Sequence, residues 1–177
     1  QPPYRAWLTA EERLHYLLTH KLRSLDGGPE CLNIDLRHPE GSWEYYWDQD
    51  DQGFLLEHRE MVIERLRPRL VEDGSPLAAL LLGLLGDEGA VEPLRRHFID
   101  TVEFYGWETS YPDELAAGQF PRHHAYEEAL TAITGDPLDR ALSLSEGEHQ
   151  RLVERTDPAA LYVLSRLRPA EARSIVL

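Results

Sequence analysis

The chain has 177 residues, 42% of them hydrophobic, which suits one domain with a substantial core. Its 32 acidic residues outnumber 18 basic ones, and the net charge of −14 opposes binding to phosphate backbones or anionic lipid while attracting a basic partner. The longest apolar run, Leu77 to Leu85, is interrupted by Gly83 and falls well short of the roughly 20 residues that span a bilayer.

Gln1-Pro2-Pro3-Tyr4-Arg5 lacks the charged and apolar regions of a signal peptide. Cys31 is the only cysteine, so neither an intrachain disulfide nor a Cys-based zinc site is expected, and a reducing cytoplasm is the natural setting. All the basic residues are Arg except Lys21, a bias expected of GC-rich, bacterial coding.

The first periodic segment opens at Thr9, with Glu12 completing a capping box in which each side chain satisfies an orphan amide of the first turn. Leu14, Leu17, Leu18 and Leu25 share a face, so a helix is predicted through about Arg23, ended by Asp26-Gly27-Gly28-Pro29. Residues 31–36 alternate apolar and polar, and we read them as an extended connector rather than a strand. Glu40 to Asp51 is dense in aromatic and acidic side chains and holds no Lys or Arg. A second helix is expected from near Gln52 to Leu66 or Leu70, with Leu55, Val62 and Leu66 buried and Pro68 disturbing its last turn.

Ser75-Pro76 is a strong start signal, because serine caps the first turn and proline lacks only an amide that would be unpaired there anyway. The helix Leu77–Leu85 should stop at Gly86. The next, begun by Asp87 or Glu88, carries Val91, Leu94, Phe98 and Val102, and so short a turn predicts an antiparallel pair. Residues 106–121 read as an insertion. Helical pattern returns near His124, runs through Ala129, Leu130 and Ile133, and ends at Gly135-Asp136-Pro137. Ser145 and Glu148 form another capping box, and Asp157-Pro158 opens a last helix with Leu161, Leu164 and Leu167 inward. Seven or eight helices account for nearly the whole of residues 1–177, taken as one all-α domain.

The run from Leu80 through Gly86-Asp87 to Ala90-Val91-Glu92-Pro93-Leu94 resembles the short bacterial HEAT-like repeat, also found in phycobilin lyases. In that repeat a Leu-rich helix ends at Gly-Asp and a second starts with an Ala-Val-Pro-Leu-like segment, so Glu92 is a departure. The best copy covers residues 75–102. Weaker ones cover 124–142, where Gly135-Asp136 stands 49 residues after Gly86-Asp87, and 157–173, which lacks Gly-Asp. The resemblance implies a HEAT-like antiparallel helical-hairpin array, a short α-solenoid, with the 106–121 insertion stretching the usual period.

The sequence carries few catalytic constellations. There is no Gly-rich phosphate loop, no nucleophile elbow and no His-Glu-x-x-His helix, and Cys31 has no histidine signature around it. His123 and Glu127, one helical turn apart, are the best metal-like pair, but such a pair usually lies solvated on a helix surface, so neither a metal nor another cofactor is expected.

The most unusual feature is the stretch Trp43, Glu44, Tyr45, Tyr46, Trp47, Asp48, Gln49, Asp50, Asp51. Its four aromatics within five positions exceed what one buried helix face can take. A second stretch comprises Glu103, Tyr105, Trp107, Glu108, Tyr111, Asp113 and Glu114. Large aromatics supply binding area and carboxylates select a basic partner, whereas the alternative is that these aromatics merely seal helix ends. The expectation is therefore a non-enzymatic protein-binding module without direct nucleic-acid or membrane contact. Its foremost form is an immunity or antitoxin protein that occludes the active site of a basic toxin, a nuclease above all. A general HEAT-like adaptor and a chromophore-lyase-like helper are the alternatives.

Overall fold

The computed structural model describes residues 9–26, 34–38, 49–105 and 122–155, with backbone alone at 101–105, Asp139 and Arg155. Helix α1, Ala10–Tyr16, starts at the expected capping box: Thr9 Oγ1 accepts from the Glu12 amide at 3.2 Å, and the Thr9 amide donates to Glu12 Oε2 at 2.8 Å. It continues as a π-helical turn, Leu17–Lys21, and a 3-10 turn, Arg23–Leu25, with Leu14, Leu17, Leu18, Leu22 and Leu25 all buried. Residues 34–38 form a connector with Ile34 and Leu36 buried, and no strand occurs among the described residues.

The single helix expected from Gln52 is instead two, α2, Gln49–Glu57, and α3, Arg59–Asp73. The break is at His58, whose φ of −102° and ψ of 30° leave the helical region. Pro68 does not end α3, which runs on to Asp73. The proline is exposed, so the carbonyl that its missing amide leaves behind is open to water. Gly74 then closes the helix with φ +59°.

Helix α4, Pro76–Leu84, is capped by Ser75, whose hydroxyl accepts from the Ala78 amide at 3.1 Å. Asp26 reinforces this end by accepting from the Leu77 amide at 3.2 Å and from the Ser75 hydroxyl. Every residue of α4 from Pro76 to Gly83 is buried. A helix apolar all round belongs in the centre, and each fully buried leucine contributes roughly 1.5–3 kcal/mol relative to exposure. Gly86, with φ +64°, terminates it through a bond from the Asp87 amide to the Leu82 carbonyl at 3.0 Å. Asp87 caps the 3-10 turn Glu88–Ala90 and leads into α5, Val91–Tyr105.

Helix α6, His123–Thr134, ends at Gly135 with φ +69°. A short α7, Leu138–Leu142, follows, and then α8, Glu146–Arg155, opened by the expected Ser145–Glu148 capping box. The last expected helix, from Asp157, and Cys31 lie outside the described residues.

Helix α4 packs along α3 and, most extensively, along α6, which also packs on α5. The short turn predicts that α5 runs antiparallel to α4. Among the described residues the two approach each other mainly at the Glu88–Ala90 turn. Gly83 meets Ala129 where α4 crosses α6, a close approach that two small residues allow.

Candidate binding surface

Of the first acidic-aromatic stretch, Trp43, Glu44, Tyr45, Tyr46, Trp47 and Asp48 lie outside the described residues. Asp50 and Asp51 occupy the first turn of α2, where carboxylates complement the helix dipole. Asp50 is exposed, and its carbonyl accepts from Arg13 Nη2 at 3.2 Å. Asp51 departs from the expected solvated surface. It is only 2% exposed, paired with Arg13 Nη2 at 3.2 Å and with Lys21 Nζ, while the Arg13 guanidinium lies 4.5 Å from the centre of the Phe54 ring. The stretch has no cation of its own, but α1 supplies Arg13 and the π-helical turn after it supplies Lys21. Asp51 thus ties α1 to α2.

The second stretch leaves α5 at Tyr105. Glu103 lies in α5 with its backbone alone described, and Trp107, Glu108, Tyr111, Asp113 and Glu114 fall outside the described residues.

The seam between α5 and α6 holds polar groups that sequence reading placed on the surface. His123 is 7% and Glu127 6% exposed, so both turn inward rather than forming a solvated pair. The Phe98 ring meets His123 edge-on at 6.3 Å, and the His123 and His124 rings lie 4.5 Å apart. His97 packs 5.7 Å from the Tyr126 ring, and the Tyr126 hydroxyl donates to the Gly74 carbonyl. Glu128 accepts from the Leu36 amide, and its pKa is raised by burial first and then by Asp35 and Glu127. Burial also raises that of Asp35, but bonds from the Arg37 amide, at 2.9 Å, and guanidinium, at 3.2 Å, together leave it below its ordinary value. Among the described residues no three His, Cys, Asp or Glu side chains are grouped to hold a metal ion.

Several arginines face carbonyls and carboxylates of their own chain, while Arg23 and Arg96 are exposed. Arg59 donates to the carbonyls of Leu85 at 2.9 Å and Gly86 at 3.3 Å, Arg95 to those of Leu142 and Ser143, and Arg122 to that of Asp73 at 3.0 Å. Each of these closes the C-terminal end of another helix, where unpaired carbonyls and the dipole favour a cation. Arg67 grips the buried Asp87 through two bonds, at 2.6 and 3.1 Å, which raise the pKa of its guanidinium. Arg65 pairs with Glu11 at 2.6 Å and Arg69 with Asp26 at 2.9 Å. By contrast, Glu57, Glu64, Glu72, Glu88, Asp100 and Glu146 are exposed and make no ion pair among the described residues.

Among the described residues no helix is long and apolar enough to cross a membrane. No family model, no curated protein and no solved structure matches the chain.

Proposed function

We propose that this protein is a non-enzymatic binding module that captures a basic protein, acting as an immunity or antitoxin protein that occludes the active site of a cognate toxin, a nuclease in the favoured case. The observation that carries this reading is the division of charge. Arg59, Arg67 and Arg122 are engaged by carbonyls and a buried carboxylate of their own chain, while Glu57, Glu64, Glu72, Glu88, Asp100 and Glu146 are exposed and make no ion pair among the described residues. A net charge of −14 steers a basic partner and repels nucleic acid, which suits a protein that competes for a nucleic-acid groove. Trp43, Tyr45, Tyr46, Trp47, Trp107 and Tyr111, with the carboxylates Glu44, Asp48, Asp50, Glu103, Glu108, Asp113 and Glu114, form the proposed contact set.

A HEAT-like hairpin array is the proposed architecture. In its support, the two helices ending in Gly-Asp, α4 and α6, stack directly on each other, and both end at a left-handed glycine. That stacking also favours a second reading, a general adaptor in a bacterial assembly. Capture of partners by the full-length protein, followed by inhibition assays against any basic nuclease recovered, tests the proposal. Recovery of only acidic or nucleic-acid partners sinks the toxin reading; recovery of basic partners without enzymatic activity moves it to the adaptor.

A further inference from the structure

Between Thr9 and Asp26 the helix changes register twice. Ala10–Tyr16 is α, Leu17–Lys21 is π and Arg23–Leu25 is 3-10, and the Leu22 amide donates to the Leu17 carbonyl, five residues back, at 2.8 Å. No Gly or Pro stands between Ala10 and Asp26, and Leu14, Leu18, Leu22 and Leu25 keep α spacing, so neither a breaker nor the apolar pattern demands the widened turn. The charge at Lys21 does. Seven residues after Leu14, Lys21 would return in an unbroken α-helix to within about 20° of that buried leucine. A π turn winds less per residue, so it swings Lys21 off the leucine stripe and back toward Arg13. There the two cations, each 24% exposed, share the buried Asp51 carboxylate of α2, and Leu22 takes the inward place at 0% exposed.

The excursion stays local. A 3-10 turn winds about 120° per residue against about 100° for α, so the over-wound Arg23–Leu25 turn largely restores the rotation that the π turn withholds. Asp26, just beyond it, is held by Arg69, the Ser75 hydroxyl and the Leu77 amide, and the Thr9–Glu12 box fixes the other end. An unbroken α-helix therefore fits between the same two anchors. The Thr19 hydroxyl donates to the His15 carbonyl at 2.7 Å, which gives that carbonyl a donor besides the backbone ladder as the register shifts.

We propose that residues 17–25 form a two-register element in which Lys21 selects the π register, and that its pair with Asp51 couples this register to the seating of α2 on α1. The pair needs the under-wound turn, so the π register and the seated α2 stabilise each other by linkage. Removing the charge at position 21 takes away both the cost of turning an ammonium onto the apolar stripe and the attraction of Asp51. The commoner α ladder is then the better state. The element does not depend on the proposed partner.

Nuclear magnetic resonance couplings transmitted across hydrogen bonds in the full chain test this, because they identify the carbonyl that each amide meets. The wild-type Leu22 amide should couple to the Leu17 carbonyl, and Lys21→Arg should keep that partner. In Lys21→Leu the partner should become Leu18, four residues back, and Lys21→Met decides the matter if the leucine variant does not fold. Asp51→Asn should weaken the Leu17 coupling and bring up the Leu18 one. Persistence of the Leu17 coupling in the folded Lys21→Leu or Lys21→Met variant overturns selection by Lys21, and wild-type couplings in Asp51→Asn overturn the link to α2.

Discussion

Gly83 approaches Ala129 so closely that a β-carbon built on the glycine would lie 2.8 Å from the Ala129 Cα and 3.0 Å from its Cβ. This contact sets the separation of α4 and α6, the most extensive helix pair of the fold. Gly83→Ala gains about 1 kcal/mol of helix propensity, but overpacking against backbone costs typically 1–3 kcal/mol. We expect a net loss. Gly53→Ala and Gly147→Ala, which would meet nothing within 4 Å, should leave stability unchanged or raise it by up to about 1 kcal/mol. Urea midpoints of the three variants check this, and a Gly83→Ala variant more stable than wild type refutes the close crossing.

Asp51 is a structural counterion rather than a rim carboxylate. Asp51→Ala leaves Arg13 and Lys21 facing each other without their shared anion. Breaking a buried pair costs roughly 3–5 kcal/mol, reduced here toward about 2 because both cations are 24% exposed. Thermal melting should show the loss, whereas Asp50→Ala, at an exposed position, should change stability by no more than about 0.5 kcal/mol.

Two glutamates should respond to pH with opposite signs. Bonds from the Ser145 amide and hydroxyl lower the Glu148 pKa, so its contribution is complete above the ordinary value of 4.5 and is lost as pH falls through the lowered value. Burial and then Asp35 raise that of Glu128, so its contribution is complete below 4.5 and is lost as pH rises through the raised value. At pH 7 Glu148→Ala should destabilise by about 0.5–1 kcal/mol, as removal of one capping partner does. Glu128→Gln should stabilise at pH 7 and match wild type below pH 4.5. Calorimetric melts at the two pH values decide both.

Association with a basic partner should be fast and salt-sensitive, because steering by surface carboxylates acts over a Debye length of about 8 Å at physiological ionic strength. Trp43→Ala, Trp47→Ala and Trp107→Ala should each weaken binding by about 2 kcal/mol or more, mainly by faster dissociation. Glu114→Gln should chiefly slow association. Kinetics at two salt concentrations separate these effects. If all three Trp variants bind normally while substitutions within residues 75–102 abolish binding, the interface lies on the helical hairpin instead.

Local stops and starts are legible in the sequence: the Thr9–Glu12 and Ser145–Glu148 boxes, Ser75-Pro76, and the glycine ends at Gly86 and Gly135. Each depends on bonds spanning five residues or fewer, so a short window of sequence contains both partners. Tertiary structure decided what needs partners far apart in the chain. Arg59 reaches a carbonyl 26 residues on and Tyr126 one 52 residues back, and Asp51 finds Arg13 at a separation of 38. The seam pair His123–Glu127 reads as solvated because its spacing fits an exposed helix face; only the packing of α6 against α4 and α5 turns both inward. The candidate contact set was legible as composition, an excess of aromatics and carboxylates without local cations. Which of those carboxylates face solvent was not, because burial depends on the neighbours that folding brings, as α1 and its π-helical continuation bring Arg13 and Lys21 to Asp51 but not to Asp50's exposed side chain.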